Sequence, residues 1–321
     1  MKPPFSQSKE NIHTVAFYNL ENLFDTEDDS RTIDDDFTPE GRKKWDEEKY
    51  LKKIYKLGDA IANIGYDKNG KSPAIVGLAE VENEKVVEDL IDSKKLQDKG
   101  FDLVHHDSPD ERGIDVALIY QKEFFEVINT DAIPLLLYNE EGERDYTRDI
   151  LHVEGLLNGE LVHIFVNHWP SRRKGAEITS EKRVKAAETL KRTLNEVKER
   201  EENPSFIIMG DFNDDPHSES IKNHLLTSDL YNPMEKLLSP LRGSLNYNSQ
   251  WNLFDQIIFS HSFFQFEKGT HQFAHADVFD EHFLAEWKGR NKDNPFRTYA
   301  GRKYLGGYSD HFPVYIQLKL L

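Results

Sequence analysis

Six short stretches set acids, amides or histidines against apolar runs: "YNLEN" (Tyr18–Asn22), "LAEVEN" (Leu78–Asn83), "NHWPSR" (Asn167–Arg172), "GDFNDDP" (Gly210–Pro216), "FDQIIFS" (Phe254–Ser260) and "YSDHFPV" (Tyr308–Val314). Side chains of these types support two kinds of chemistry. Carboxylate and amide oxygens are ligands for hard divalent cations, and a histidine beside a carboxylate can move protons near neutral pH. Asp211 and Asn213 are two positions apart, a spacing that puts both on one side of an extended segment. Glu80 and Glu82 have the same spacing. Turn chemistry competes with this reading, because Asp and Asn also favour turns. Any one stretch fits a turn, and the weight lies in their joint occurrence.

Positioning such residues takes rigid elements. Short apolar runs end or begin at the polar positions: His13–Asn19, Ala74–Glu80, Asp115–Tyr120, Leu161–His168, Ser205–Asn213, Asp255–Ser260 and His311–Leu318. Their length and their Val, Ile and Phe content predict buried strands. Two segments have helical period instead. Leu51, Ile54, Leu57, Ile61 and Ile64 mark a helix over Glu47–Ile64, and Val184, Ala187, Leu190, Leu194 and Val197 mark one over Ser180–Glu202. Each lays an apolar stripe on a sheet and turns its charged face to water. Many strands and few long helices predict an α+β sandwich, with two sheets packed together and helices outside. Residues 218–250 and 263–307 have no clear period and read as loop insertions, where selectivity often resides.

The composition narrows the chemistry. With 321 residues, 37% hydrophobic and 31% charged, the chain is long enough for one large layered domain. There is no cysteine, which excludes disulfides, thiolate nucleophiles and Cys-based zinc sites. A net charge of −17 argues against an overall basic nucleic-acid binder. The acids gather in "DTEDDSRTIDDDF" (Asp25–Phe37), whereas Arg172 to Arg200 holds ten basic residues against five acidic. A local positive patch is therefore compatible with a negative protein. The start, "MKPPFSQSKENIH", has no apolar core of signal-peptide length, and no later run is long enough to span a membrane. The compartment stays open between cytoplasmic and secreted, and no protein partner follows.

Taken in order, the six stretches resemble the endonuclease/exonuclease/phosphatase superfamily, the fold of pancreatic deoxyribonuclease and of abasic-site endonucleases. The resemblance runs from about Phe17 to Val314, with "GDFN" and "SDHFPV" its most specific pieces. It implies a single domain with a four-layered α/β/β/α sandwich of two mixed sheets, and metal-assisted cleavage of phosphate esters. It also implies roles. Glu80 would be the principal metal ligand, with Asn19 beside it and Asp310 contributing. Asp211 would orient or deprotonate the attacking water, and Asn213 would donate to a phosphate oxygen. His311 would contact the phosphate or act as acid/base, with Asp255 on its other ring nitrogen and His168 across the phosphate. Asp211 and His311 compete for the role of base. Arg148 in "YTRDILHVEG" and Arg112 in "ERGIDVALIY" would bind phosphate, since a guanidinium fork donates two parallel hydrogen bonds. Arg172 and Arg173 would line the rim, and Glu21 and Glu82 would support from behind. Magnesium or manganese suits such oxygen donors.

The shared core does not choose among substrates. The leading expectation is a nuclease or phosphodiesterase, favoured by "NHWPSR" and the basic stretch behind it. The alternative is a phosphodiesterase or phosphatase for a small molecule or lipid head group, and a third reading is an inactive binding module. A shallow basic cleft would favour nucleic acid, and a deep pocket a small ester. Trp169, Trp251, Phe254 and Tyr308 beside the motifs would stack on a base or form the wall.

Overall fold

The computed structural model describes residues 11–139, 141–172 and 175–321. Arg173, expected at the rim, lies outside the described residues. Twelve strands build two six-stranded mixed sheets. In chain order they are β1 (Ile12–Leu23), β2 (Ile75–Val81), β3 (Phe101–His105), β4 (Asp115–Gln121), β5 (Phe125–Ile133), β6 (Ile150–Leu157), β7 (Glu160–His168), β8 (Ser205–Asp211), β9 (Leu230–Tyr231), β10 (Asp255–Ser260), β11 (His271–Val278) and β12 (Val314–Leu320). Sheet one runs β11-β12-β1-β2-β4-β3, and sheet two runs β9-β10-β8-β7-β6-β5. Each has one parallel pair at its centre, β1 with β2 and β7 with β8, and antiparallel neighbours elsewhere.

Strict alternation along the central strands of sheet two explains the layering. Ile164, Val166, Ile207, Met209, Ile257 and Phe259 join the core shared with sheet one. The intervening Phe165, Phe206, Ile208 and Ile258 join a second cluster with helix α3 (Ser180–Lys198). A period of two thus feeds two layers from one strand. Each fully buried apolar side chain stabilises the fold by about 1.5–3 kcal/mol. The sheets approach closely at Gly77, where a Cβ would lie 2.4 Å from the Met209 sulfur. On sheet one, α1 (Glu47–Asn63) buries Ile54, Leu57 and Ile61 and is capped by Asp46, which accepts from the Lys49 N–H. Leu51 of the expected stripe is instead 53% exposed. The short α2 (Glu84–Ile91), capped by Asn83, was not marked by periodicity, being barely two turns long. No helix among the described residues is long and apolar enough to cross a membrane.

The two aperiodic segments are not plain loops. Residues 263–307 contain β11, an edge strand of sheet one, and a hairpin of Tyr299–Ala300 with Lys303–Tyr304. Residues 218–250 contain β9 and short helical turns.

Candidate active site

Both sheets end their central strands at the same cleft. In sheet two, Asp211 pairs in register with His168 on one side and Asp255 on the other, so three chemical side chains come in a row. All three are buried. Opposite them, sheet one contributes Asn19, Glu80 and the Asp310–His311 pair that precedes β12. Asn19 crosses between the sheets, donating from Nδ2 to Asp211 Oδ2 at 3.0 Å.

The turn and the site turn out to be one object. β8 stops at Asp211, and Asn213 is not on an extended segment but in the left-handed region at φ 50°. Asp211 Oδ1 accepts from the Asn213 N–H at 2.9 Å, which is turn chemistry, while Oδ2 serves the cleft. Asn213 Nδ2 donates to Trp169 O at 2.9 Å. A similar departure occurs in sheet one. Glu80 has φ 62°, and the pairing shifts register between Ala79 and Val81. Simple alternation of Glu80 with Glu82 therefore fails. Glu21 and Asn22, at φ 51° and 54°, complete a group of four strained non-glycine residues around the cleft. Such conformations cost of order 1–3 kcal/mol each and gather where geometry serves function.

The proton-handling groups cluster around Asp211. His311 Nδ1 meets Asp255 Oδ2 at 2.6 Å, and its Nε2 stands 4.0 Å from both Asp211 Oδ2 and Asp310 Oδ1. His168 Nε2 lies 3.7 Å from Asp211 Oδ2 and 3.9 Å from Glu80 Oε1. Burial opposes the charge on His311, but Asp255, Asp211 and Asp310 outweigh it and hold its pKa well above the usual histidine value. Burial, with the charges of Asp255 and Glu80, lifts Asp211 to about 7 against the pull of His311. The site therefore pairs an imidazolium with a carboxyl poised near neutrality.

The oxygen donors sit on the sheet-one side. Glu80 Oε2 is pinned by the Asn22 N–H at 2.8 Å, while among the described residues Oε1 has only the His168 nitrogen, beyond hydrogen-bond range. Asp310 commits Oδ2 to Arg297 at 2.8 Å and leaves Oδ1 facing His311. Asn19 Oδ1 accepts from the Glu21 N–H at 3.0 Å, which leaves one lone pair. Two underused carboxylate oxygens and an amide carbonyl fit a hard divalent cation. Asp211, Asp255 and His311 also bring ligand atoms within 4.8 Å of one another. Asp255 is sealed and already bound to the His311 ring, so that trio reads as a proton relay rather than a cation cage.

The arginines differ from expectation. Arg148 is buried, with NH1 on Asp110 Oδ2 and NH2 on Trp169 O, both at 2.9 Å. It braces the loop that follows His168, and neither terminal nitrogen is left uncommitted for a phosphate. Arg112 donates to Asn22 Oδ1, one residue removed from Glu80. Arg172 stacks 4.5 Å over the Phe254 ring and is paired with Asp214, which also holds buried Arg183. Trp169 is core, and Trp251 stacks on Phe312 at 6.1 Å. Glu82 accepts from the Asp25 N–H and lines a neighbouring cavity, where burial raises its pKa to about 8.

Several contributors escaped the sequence. Ser309 Oγ donates to Asn19 O at 2.6 Å and accepts from the His311 N–H, locking two motifs together. Glu21 Oε2 accepts from the Thr298 N–H, and Lys53 of α1 reaches Glu21 O and Thr298 Oγ1. Burial and the Asp310 charge raise Glu21 to about 7, with Lys53 and Arg297 opposing. Burial lowers Lys53 to about 8, against the pull of Glu21 and Asp310. A lysine on a helix normally signals a solvated face, so nothing local marked it.

The profile of the endonuclease/exonuclease/phosphatase family matches residues 14–320. The chain belongs to that family. Membership makes it a phosphoesterase-type hydrolase with the DNase-I-like sandwich. A search of curated proteins gave no match. Among solved structures, a family protein from Bacteroides thetaiotaomicron aligns with TM-score 0.60 and 19% identity over 96% of this chain and 97% of that one. A mannosyl-6-phosphatase from the same species aligns with TM-score 0.57 and 19% identity over 95% and 99%. D. rerio TDP2 complexed with a single-strand DNA product aligns with TM-score 0.58 and 15% identity over 96% and 99%. At these identities the likeness carries the family's fold, not its substrates.

Proposed function

We propose that the protein is a divalent-cation-dependent phosphoesterase acting on a small phosphate ester by direct attack of water. The observation that carries the reading is the convergence of Asp211, His168 and His311 beside Glu80 and Asp310, contributed by two different sheets. A phosphate ester resists hydrolysis because its own charge repels nucleophiles. Glu80, Asp310 and Asn19 would hold a magnesium or manganese ion, which when bound neutralises that charge and supports the leaving oxygen. Asp211 accepts the proton of the attacking water. Of the two candidate bases it is favoured because His311, paired with Asp255, is held as an imidazolium. His311 and His168 then donate to phosphate oxygens as charge builds.

The surroundings favour a compact substrate over a polyanion. Beside the site is a cavity of about 800 Å³, lined by nine acidic side chains and a single arginine, Arg31. Glu27, Asp28, Asp107 and Glu111 are its exposed acids. Such a wall repels a nucleic-acid backbone. The nucleic-acid reading is supported by the basic stretch after His168 and by the part-exposed Arg172 guanidinium stacked on Phe254 at the rim.

The test is turnover of p-nitrophenyl phosphate, bis-p-nitrophenyl phosphate, mannose 6-phosphate and plasmid DNA with magnesium, manganese or EDTA, beside Asp211→Asn. Metal-stimulated hydrolysis of the small esters, lost in the variant, is the expected result. Nicking of plasmid with the small esters untouched would transfer the site to nucleic acid, and no metal-stimulated hydrolysis of any of them would remove the proposal.

A further inference from the structure

Arg297 comes from the aperiodic segment 263–307, yet its guanidinium stands among the acids of the cleft. NH2 donates to Asp310 Oδ2 at 2.8 Å, and Nε lies 3.4 Å from Glu21 Oε1. NH1 has no partner among the described residues, and the side chain is 44% exposed. The backbone that presents it is stitched in place. The Thr298 N–H donates to Glu21 Oε2 at 2.5 Å, and the Gly307 N–H donates to Arg297 O at 3.2 Å. A Cβ on Gly307 would come within 1.9 Å of Phe296 O, so only glycine permits that approach.

A role in charge balance alone does not account for this geometry. Glu21 already has the Thr298 N–H, and buried Lys53 supplies a positive charge on the helix side. Its two bonds use Nε and NH2, which leaves the NH1 edge of the five-donor fork available to a ligand. Asp310 bridges this guanidinium to His311, whose Nε2 is 4.0 Å from its other oxygen. The open edge is thus one carboxylate away from the imidazolium.

We propose that Arg297 binds the terminal oxygens of the substrate phosphate and biases the enzyme toward phosphomonoesters. The proposal rests on the phosphoesterase reading of the same cleft. A monoester presents three unesterified oxygens and up to two negative charges, so it rewards a fixed fork of donors beyond the ones the cation and histidines provide. In a diester one of those oxygens carries a second organic group and no charge, so the same arginine contributes little. The bias comes from a segment outside the central strands that carry Glu80, His168, Asp211 and Asp255, where selectivity can vary without disturbing the chemistry.

The experiment measures inorganic phosphate binding by calorimetry with magnesium present, for the wild type, Arg297→Gln and Arg297→Lys. Alongside it runs the ratio of kcat/KM for p-nitrophenyl phosphate to that for bis-p-nitrophenyl phosphate. Arg297→Gln is expected to weaken phosphate about tenfold or more and to lower the ratio by a similar factor, the loss of a charge-assisted pair of hydrogen bonds. Lysine keeps the charge without the fork and recovers part of both. Unchanged phosphate affinity and an unchanged ratio in a folded Arg297→Gln protein would overturn the proposal and leave a strut. If glutamine prevents folding, the lysine variant decides by the same two readouts. A wild type that binds phosphate through Arg297 but shows no metal-stimulated turnover would sink the phosphoesterase reading and the monoester bias with it, leaving Arg297 as a phosphate ligand.

Discussion

Sheet one ends its central strands in Asn19, Glu80 and, just before β12, Asp310; sheet two ends its own in His168, Asp211 and Asp255. The two sheets have matching topology around a central parallel pair, yet they deliver different chemistry. On the sheet-one side, carboxylate oxygens are left short of donors, at Glu80 Oε1 and Asp310 Oδ1. On the sheet-two side, the oxygens that face the cleft are engaged: Asp211 is shared between a turn and Asn19, and Asp255 Oδ2 holds the His311 ring, while Asp255 Oδ1 is sealed in the interior without a hydrogen-bond partner among the described residues. Spare oxygens suit a cation, whereas a satisfied acid–imidazole pair suits proton work. The exceptions are informative. His311 belongs to the chain of sheet one but takes its partner from sheet two, and Asn19 reaches across to Asp211. Neither half is complete without the other, so the cleft must lie at their junction.

If this division holds, variants on the two sides separate cleanly. Glu80→Gln is expected to strike the cation first, removing the freest oxygen from a strained, pinned position. Magnesium affinity measured by calorimetry should fall by about 10–100-fold or more, and turnover with it. His311→Ala should lower kcat by about 10²–10⁴-fold while magnesium affinity stays at the wild-type value. A His311 variant that lost the cation, or a Glu80 variant that kept it, would dissolve the distinction.

Much of this was legible in the chain. The strands carrying Glu80, His168, Asp211 and Asp255 are apolar runs whose polar ends break the pattern, and periodicity located α1 and α3. What failed was local conformation at those ends. Extended spacing put Asn213 on the face of Asp211 and Glu82 on that of Glu80, but positive φ at Asn213 and Glu80 redirects both. No residue type there demands that conformation, since it is imposed by the hydrogen bonds of the assembled cleft. Arg297 and Lys53 were invisible for another reason. Lys53 reaches Thr298 across 245 residues of chain and Arg297 reaches Glu21 across 276, and each lies in a sequence context that reads as solvated. All four edge strands, β3, β5, β9 and β11, were also missed, because half-exposed strands lack a continuous apolar run.

Arg148 sharpens the comparison from the sheet-two side. It and Asp110 form a pair with side chains 8% and 5% exposed, and Trp169 O ties the arginine to the residue after His168. Removing one member strands a buried charge. Arg148→Met is therefore expected to destabilise the fold by about 3–5 kcal/mol, read as a shift in the denaturant midpoint. Pairing it with Asp110→Leu should restore much of the loss. If Arg148→Met instead left stability intact and raised KM for phosphate esters, the arginine would be a substrate ligand and not a brace.

A smaller effect comes from a histidine on the same sheet as Asp211 but away from the cleft. His152 stacks on Phe165 with centroids 4.4 Å apart and planes 3° from parallel, and its Nε2 meets His163 Nδ1 at 3.0 Å. Burial, then the neighbouring His163, lowers its pKa to about 4. His311 is also buried, but beside Asp255 it moves in the opposite direction. The partner, not the depth, decides the charge. Because the folded protein holds His152 neutral while the unfolded chain takes up a proton near the ordinary value of about 6.5, its contribution is intact above that pH. It is lost progressively as the pH falls toward about 4, since the unfolded state then binds more protons. The loss should amount to roughly 1–3 kcal/mol from this one group. Denaturant titrations at pH 7 and pH 4.5 would measure it. His152→Phe keeps the stack on Phe165 and has no proton to take, so its acid-induced drop should be smaller than that of the wild type by about that amount. An equal drop in both proteins would mean that His152 is not held neutral, and its contrast with His311 would fall.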